Sequence, residues 1–180
     1  MLYYIHGYMS APDSTKGTLF KQKLSAKPIK YRDCEPEDLV ISDCLSEIKK
    51  EIENDEDAVL IGSSLGGFLA AKTALENENV KQIILLNPAI IPLSVDITKI
   101  DGMPQSILSD IQDESLFKSK ISSDIYILIG LQDDVVPIKW PLEFAMSQNS
   151  TIKFFEDDHS FTKNLQKLPQ IINKIIMDYQ

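Results

Sequence analysis

The sequence holds only two cysteines, two histidines, seven glycines and one tryptophan in 180 residues. Cys34 and Cys44 have no CxxC spacing, and His6 and His159 are the whole histidine supply, so a Cys/His zinc site lacks ligands. The cysteines are expected to be reduced and structural. Basic residues are scarce as well: 18 Lys and Arg face 27 acids, a net charge of -9 that repels phosphate backbones and anionic lipid heads. Nucleic acid and membrane surfaces are therefore excluded as partners. No apolar run approaches the ~20 residues of a spanning helix, and Met1 to His6 lacks the basic-then-apolar layout of a signal peptide. A cytoplasmic protein is the expectation. Repeats, low-complexity tracts and Pro/Gly/Ser linkers are missing too, which removes the fibrous and disordered classes.

What is present suits one globular domain over residues 1–180, with 43% hydrophobic and 25% charged residues. Short apolar runs alternate with helical spacing. Strands are expected at Leu2 to Ile5, Ile29 to Arg32, Ala58 to Gly62, Gln82 to Leu86, Asp124 to Gly130 and Thr151 to Phe155. Runs such as Ile83 to Leu86 fit strands covered on both faces. Helical spacing follows at Ile41 to Ile52, Ser64 to Glu78 and Leu168 to Ile176, with Pro169 tolerable in a first turn. The fold class is thus α/β: three layers, a parallel central sheet of about six strands and helices on both faces. Residues 89–123 break the alternation at Pro92, Gly102 and Pro104, with only Ser106 to Lys118 helical, and read as a short insertion before the penultimate strand, over the active-site edge.

The sharpest chemical signal is Gly62-Ser63-Ser64-Leu65-Gly66-Gly67, a GxSxG pattern where a buried strand becomes a helix. Such a turn strains the serine backbone, exposes its hydroxyl and sets it at a helix N-terminus, where developing negative charge is favoured. Ser64 rather than Ser63 has glycines two residues either side. His159, in the loop after the last strand, is the better base, while His6 opens a loop whose contribution is a backbone amide. The acid is expected after the penultimate strand, in Gly130-Leu131-Gln132-Asp133-Asp134-Val135-Val136-Pro137, with Asp133 as the candidate and Asp134 as its competitor.

A strand followed by an HG loop, a GxSxG elbow, an acid after the next-to-last strand and a histidine after the last resemble the α/β-hydrolase fold. More narrowly, the chain resembles the YqiA-type small bacterial esterases. The resemblance rests on Tyr4 to Tyr8, Ser10 to Lys16, Gly62 to Phe68, Leu86 to Ala89, Asp133 to Val135 and His159 to Thr162. It implies a triad of Ser64, Asp133 and His159, and an oxyanion hole from the amides of Tyr8 and Leu65. Three departures stand out: Ile91 before Pro92 replaces a usual basic residue, residues 89–123 are shorter and lack a Tyr-x-Gly stretch, and Asp157-Asp158 replaces a small, glycine-rich approach to the histidine.

The expected activity is cleavage of small carboxylic esters or acyl thioesters through an acyl-enzyme, without cofactor or metal. Ile90, Ile91, Leu93, Ile107, Leu108 and Phe117 of the insertion offer an apolar acyl pocket or ordinary core. A peptidase or carbon-carbon hydrolase of the same fold, and a non-catalytic binding protein, share these residues and stay open, because fold does not fix substrate. The sequence sets no oligomeric state.

Overall fold

Six strands form at Leu2–Ile5 (β1), Lys27–Pro28 (β2), Ala58–Ser63 (β3), Val80–Leu86 (β4), Asp124–Gly130 (β5) and Ser150–Phe155 (β6) in the computed structural model, which describes residues 1–178. All pairings are parallel, and the order across the sheet is β2-β1-β3-β4-β5-β6. Helices lie at Thr15–Leu24 (α1), Ile41–Ile52 (α2), Leu65–Glu76 (α3), Gln105–Ile111 (α4), Ser115–Lys118 (α5), Lys139–Ser147 (α6) and Leu168–Met177 (α7). One sheet face is covered by α1 and α7 through Leu19, Phe20, Leu168, Ile172 and Ile175. The other is covered by the helices from α2 to α6, with Ile48, Phe68, Leu69, Ile107 and Phe144 among its buried contacts. The central run Ile83 to Leu86 is fully buried between the two. Each such side chain contributes roughly 1.5–3 kcal/mol on removal from water.

The chain leaves β1 outward to β2, then returns across β1 to build β3, β4, β5 and β6 in succession. The direction of winding therefore reverses between β1 and β3. In open parallel sheets such a reversal opens a crevice at the carboxyl ends of the strands, the usual seat of a site.

The expected edge strand at Ile29 to Arg32 is corrected to the two-residue β2 at Lys27–Pro28, paired with Tyr3 and Tyr4. Pro28 has no N–H to extend a ladder, and after Ile29 N–H bonds Tyr4 the chain turns in to bury Tyr31 beside the loop that follows β1. The helix expected over Ser106 to Lys118 is two, because Asp113 accepts the N–H of Ser115 at 2.8 Å and pairs with Lys72, while Gln112 Nε2 donates to Pro92 and Val95 carbonyls. Two helices, α1 and α6, lack a strong sequence signal. Only Gly17, Leu19 and Phe20 of α1 are buried, and Pro141 sits in the first turn of α6. Cys34 and Cys44 are both free thiols; Cys44 is buried in the core, whereas Cys34 is exposed, against the expectation that both are structural.

β1 delivers His6 into the interior, where it is 1% exposed. Its ring stacks on Tyr31 with centroids 4.3 Å apart, and Nδ1 lies 2.9 Å from the Gly7 carbonyl oxygen. Tyr31 donates its hydroxyl proton to the His6 carbonyl at 3.2 Å. Burial pushes the imidazole down to about 4, against the pull of the Gly7 carbonyl. The unfolded chain takes up this proton near pH 6.5, so stability is full above that value. It falls as pH drops toward 4, by a contribution on the order of 3 kcal/mol. Urea unfolding at a series of pH values should show His6→Gln losing less stability than the wild type between pH 6.5 and 4; parallel losses would place the acid sensitivity on other groups.

Candidate active site

At the carboxyl end of β3 the chain reverses into α3 within one residue. Ser64 takes φ 56° and ψ −119°, a positive-φ conformation that side-chain-bearing residues rarely hold. The reversal is possible because two neighbours lack a Cβ: one on Gly62 would collide with the Gly66 carbonyl, and one on Gly66 with the carbonyls of Ile5 and His6. Hydrogen bonds hold the strained residue from both sides. Ser64 N–H donates to Leu86 at 3.0 Å, and its carbonyl accepts from Gly67 at 2.8 Å and Ala89 at 3.0 Å. The helix expected from Ser64 accordingly begins at Leu65.

The loop after β1 runs alongside. A Cβ on Gly7 would sit 3.9 Å from Ser64 Oγ, which measures how close this loop comes to the serine. Arg32 braces it, donating from Nη2 to the carbonyls of Tyr8 at 3.0 Å and Ser10 at 3.1 Å, and from Nη1 to that of Cys34. The N–H groups of Tyr8, in this loop, and of Leu65, next to Ser64 in the chain, donate to no acceptor among the described residues.

The loop after β5 presents Asp133 and not Asp134. One Asp133 carboxylate oxygen accepts the N–H groups of Val135 and Val136 at 2.8 and 2.9 Å; the other lies 2.8 Å from Nδ1 of His159. Its side chain is only 3% exposed, whereas Asp134 is exposed. Nδ1 is thereby committed to the carboxylate, leaving Nε2 for a substrate or a serine hydroxyl. Ser64, Tyr8 and His159 line one cavity of about 740 Å³. Among the described residues Ser64 Oγ makes no hydrogen bond, to His159 or otherwise; such bonds commonly tighten only in the substrate complex. No three His, Cys, Asp or Glu side chains converge as a metal would require, among the described residues.

The positioning roles of several residues escaped sequence reasoning. Asn87, buried and at φ 44°, accepts Gly130 N–H through Oδ1 at 2.7 Å and donates Nδ2 to the carbonyls of His159 at 3.0 Å and Asp158 at 3.2 Å. It thus ties the ends of β4 and β5 to the loop that carries His159. Its signal was present as an Asn, tolerant of positive φ, directly after a strand. Asp157 is fully buried; burial raises its carboxyl, but the amides of Lys163, Asn164 and Asp158 outweigh that and hold it below the usual range. Of the insertion residues expected in a pocket, Ile91 and Leu108 line the cavity. Ile90 and Ile107 belong to the core, Phe117 packs against it and Leu93 is exposed. Val136 and Trp140, from the loop after β5 and from α6, complete that apolar wall, and the Trp140 indole N–H has no partner among the described residues.

Removing the Asn87 amide strands a buried N–H and two carbonyls. Asn87→Ala should cost roughly 2–3 kcal/mol in chemical unfolding. A loss below ~0.5 kcal/mol, the size of an ordinary surface substitution, would mean that the bridge holds nothing.

Residues 1–175 match the uncharacterised protein family UPF0227. No curated protein is similar enough in sequence to match. The structure is similar to that of Est1E from Butyrivibrio proteoclasticus with ferulic acid bound, with a TM-score of 0.80 over 98% of this chain and 88% of that one at 16% identity. It is similar also to mouse alpha/beta hydrolase domain-containing protein 10, at a TM-score of 0.76, 17% identity and coverage of 99% and 90%. A third likeness is to the meta-cleavage product hydrolase of Pseudomonas fluorescens IP01, at 0.74, 16% identity and coverage of 99% and 91%. The six-stranded parallel sheet with helices on both faces, the elbow at its centre and these likenesses make the fold that of the α/β hydrolases, and the chain belongs to the UPF0227 family.

Proposed function

We propose that this protein is a serine hydrolase of small carboxylic esters or acyl thioesters, acting through an acyl-enzyme on Ser64. The observation that carries the reading is the buried Asp133 carboxylate 2.8 Å from Nδ1 of His159, which lines one cavity with the strained Ser64 and with Tyr8, while the N–H groups of Tyr8 and Leu65 have no acceptor among the described residues. Ser64 Oγ attacks the acyl carbon as its proton passes to His159 Nε2. The carbonyl oxygen becomes an oxyanion and takes hydrogen bonds from the N–H groups of Tyr8 and Leu65. Asp133 holds the imidazole tautomer and stabilises the imidazolium. The bond to the leaving group then breaks, and the imidazolium protonates the departing oxygen or sulfur. Water, deprotonated by His159, attacks the acyl-serine; the acid leaves and Ser64 recovers its proton.

Ile91, Leu108, Val136 and Trp140 would take the acyl chain. The reading assigns residues 1–180 to one domain, with residues 89–123 as a small cover over the site, working in the cytoplasm. No helix of the described residues is long and apolar enough to cross a membrane. No cofactor or metal enters the steps above.

The test is kcat on p-nitrophenyl esters and acyl thioesters, assayed with EDTA present. Ser64→Ala should remove turnover by several orders of magnitude, and Ser63→Ala should not. Asp133→Asn should cost on the order of 10⁴-fold in kcat, while Asp134→Asn costs little. Equal losses from the two serine variants, the reverse ranking of the two acids, or activity that dies with EDTA and returns with one divalent ion would each overturn this mechanism.

A further inference from the structure

The cavity wall has two chemically different ends, and they lie over opposite faces of the sheet. Over the face covered by α2 to α6, the wall is apolar, built by Ile91, Leu108, Val136 and Trp140. Over the face covered by α1 and α7, it carries polar groups beside Leu165: Lys16 from the first turn of α1 lines it together with Ser160 and Thr162, from the segment that follows His159 in the chain. Ser64 sits at the carboxyl edge between these ends.

Lys16 is half-buried and forms neither an ion pair nor a side-chain hydrogen bond among the described residues. It is the one lysine or arginine of the cavity wall in a chain of net charge -9. The acids nearest it are already engaged. Asp157 accepts the amides of Asp158, Lys163 and Asn164; Asp158 accepts that of Thr162; Asp133 holds Val135, Val136 and His159. Burial lowers the pKa of the ammonium from its ordinary value, against the opposing pull of Asp158, Asp157 and Asp133. These acids act on the ammonium from a distance, and a partly desolvated cation without a direct partner gains from an anion that reaches it. Asp101, the acid on the wall that these contacts leave over, is exposed and belongs to the insertion, at the apolar end.

The orientation of a substrate follows from the base. A leaving group must depart beside the histidine that protonates it, and the segment that carries His159 continues into the Lys16 end. The acyl chain is then left the apolar end. We propose that Lys16 binds a negatively charged group, a carboxylate or a phosphate, on the leaving-group part of the substrate, so that the preferred esters join an apolar acyl chain to an anionic alcohol. This rests on the acyl-enzyme reading above and adds to it the polarity of the substrate. A lysine, as a compact point charge, accepts either anion.

Three butanoate esters with the same acyl group test it: phenyl butanoate, 3-carboxyphenyl butanoate and the phosphate monoester of 3-hydroxyphenyl butanoate. Wild-type kcat/KM should favour at least one charged ester over the neutral one by roughly tenfold, the size expected of a partly desolvated ion pair. That ratio, in which any general loss of folded enzyme cancels, should fall to about one or below in Lys16→Met and survive in Lys16→Arg. A preference unchanged in Lys16→Met, or no preference in the wild type, overturns the proposal. Calorimetric titration of 3-hydroxybenzoate and 3-hydroxyphenyl phosphate, the two charged product alcohols, separates it from the hydrolase reading. Binding to the wild type that weakens about tenfold in Lys16→Met supports the anion site even if no ester is turned over, an outcome that would sink the acyl-enzyme instead. Binding of neither alcohol, or equal binding to both proteins, overturns the site whatever the esters do.

Discussion

The site depends on how closely three pieces of backbone can be brought together at one sheet edge. The end of β3, the start of α3 and the end of β1 meet where Gly62 and Gly66 leave no room for a Cβ, and the turn between the two glycines forces Ser64 to a positive φ. That contact fixes several things at once. It aims the Ser64 side chain outward, frees the Leu65 amide at the head of a helix, and lays the Gly7-Tyr8 loop along the serine. Strain of this kind costs on the order of 1–3 kcal/mol and persists only where the surroundings over-determine it. Here Leu86, Gly67 and Ala89 clamp both peptide groups of Ser64.

The second half of the site arrives from the far strands and is held to the first by Asn87. This residue follows β4, beside the elbow, and its side chain fixes Gly130 at the end of β5 and the carbonyls of Asp158 and His159 after β6. The loops that bear Asp133 and His159 are thus referred to a single buried amide in the middle of the sheet. Asp157 completes the arrangement by ordering residues 158–164 around its carboxylate. Asp157 therefore works as an internal organiser, with its charge turned to amides rather than toward the imidazole.

Much of this was legible in the sequence where the signal is local and periodic. The buried strands β3, β4 and β5 are continuous apolar runs, α2 and α7 carry apolar stripes, and Ser64 and Asp133 follow strand ends that can be found from those runs. What stayed hidden depends on tertiary context. The first helix buries too few side chains to show a stripe, and Pro141 masks the start of α6. Arg32 and Lys16 are single cations whose meaning lies in what they face: one holds the Tyr8 and Ser10 carbonyls, the other faces the cavity without an ion-pair partner among the described residues. The choice between Asp133 and Asp134 likewise needed the turn that buries one carboxylate under two amides and leaves its neighbour in solvent.

If the strained elbow exists to present a nucleophile, Ser64 should be the one serine of the folded chain that reacts as such. Treatment with a serine-directed fluorophosphonate, followed by proteolysis and mass spectrometry, reads this directly and requires no knowledge of the substrate. The account predicts a single adduct on Ser64 that is lost when the protein is unfolded in urea before treatment, because an isolated serine hydroxyl is a weak nucleophile. An adduct on Ser63, labelling that survives unfolding, or no adduct on the folded protein would contradict it.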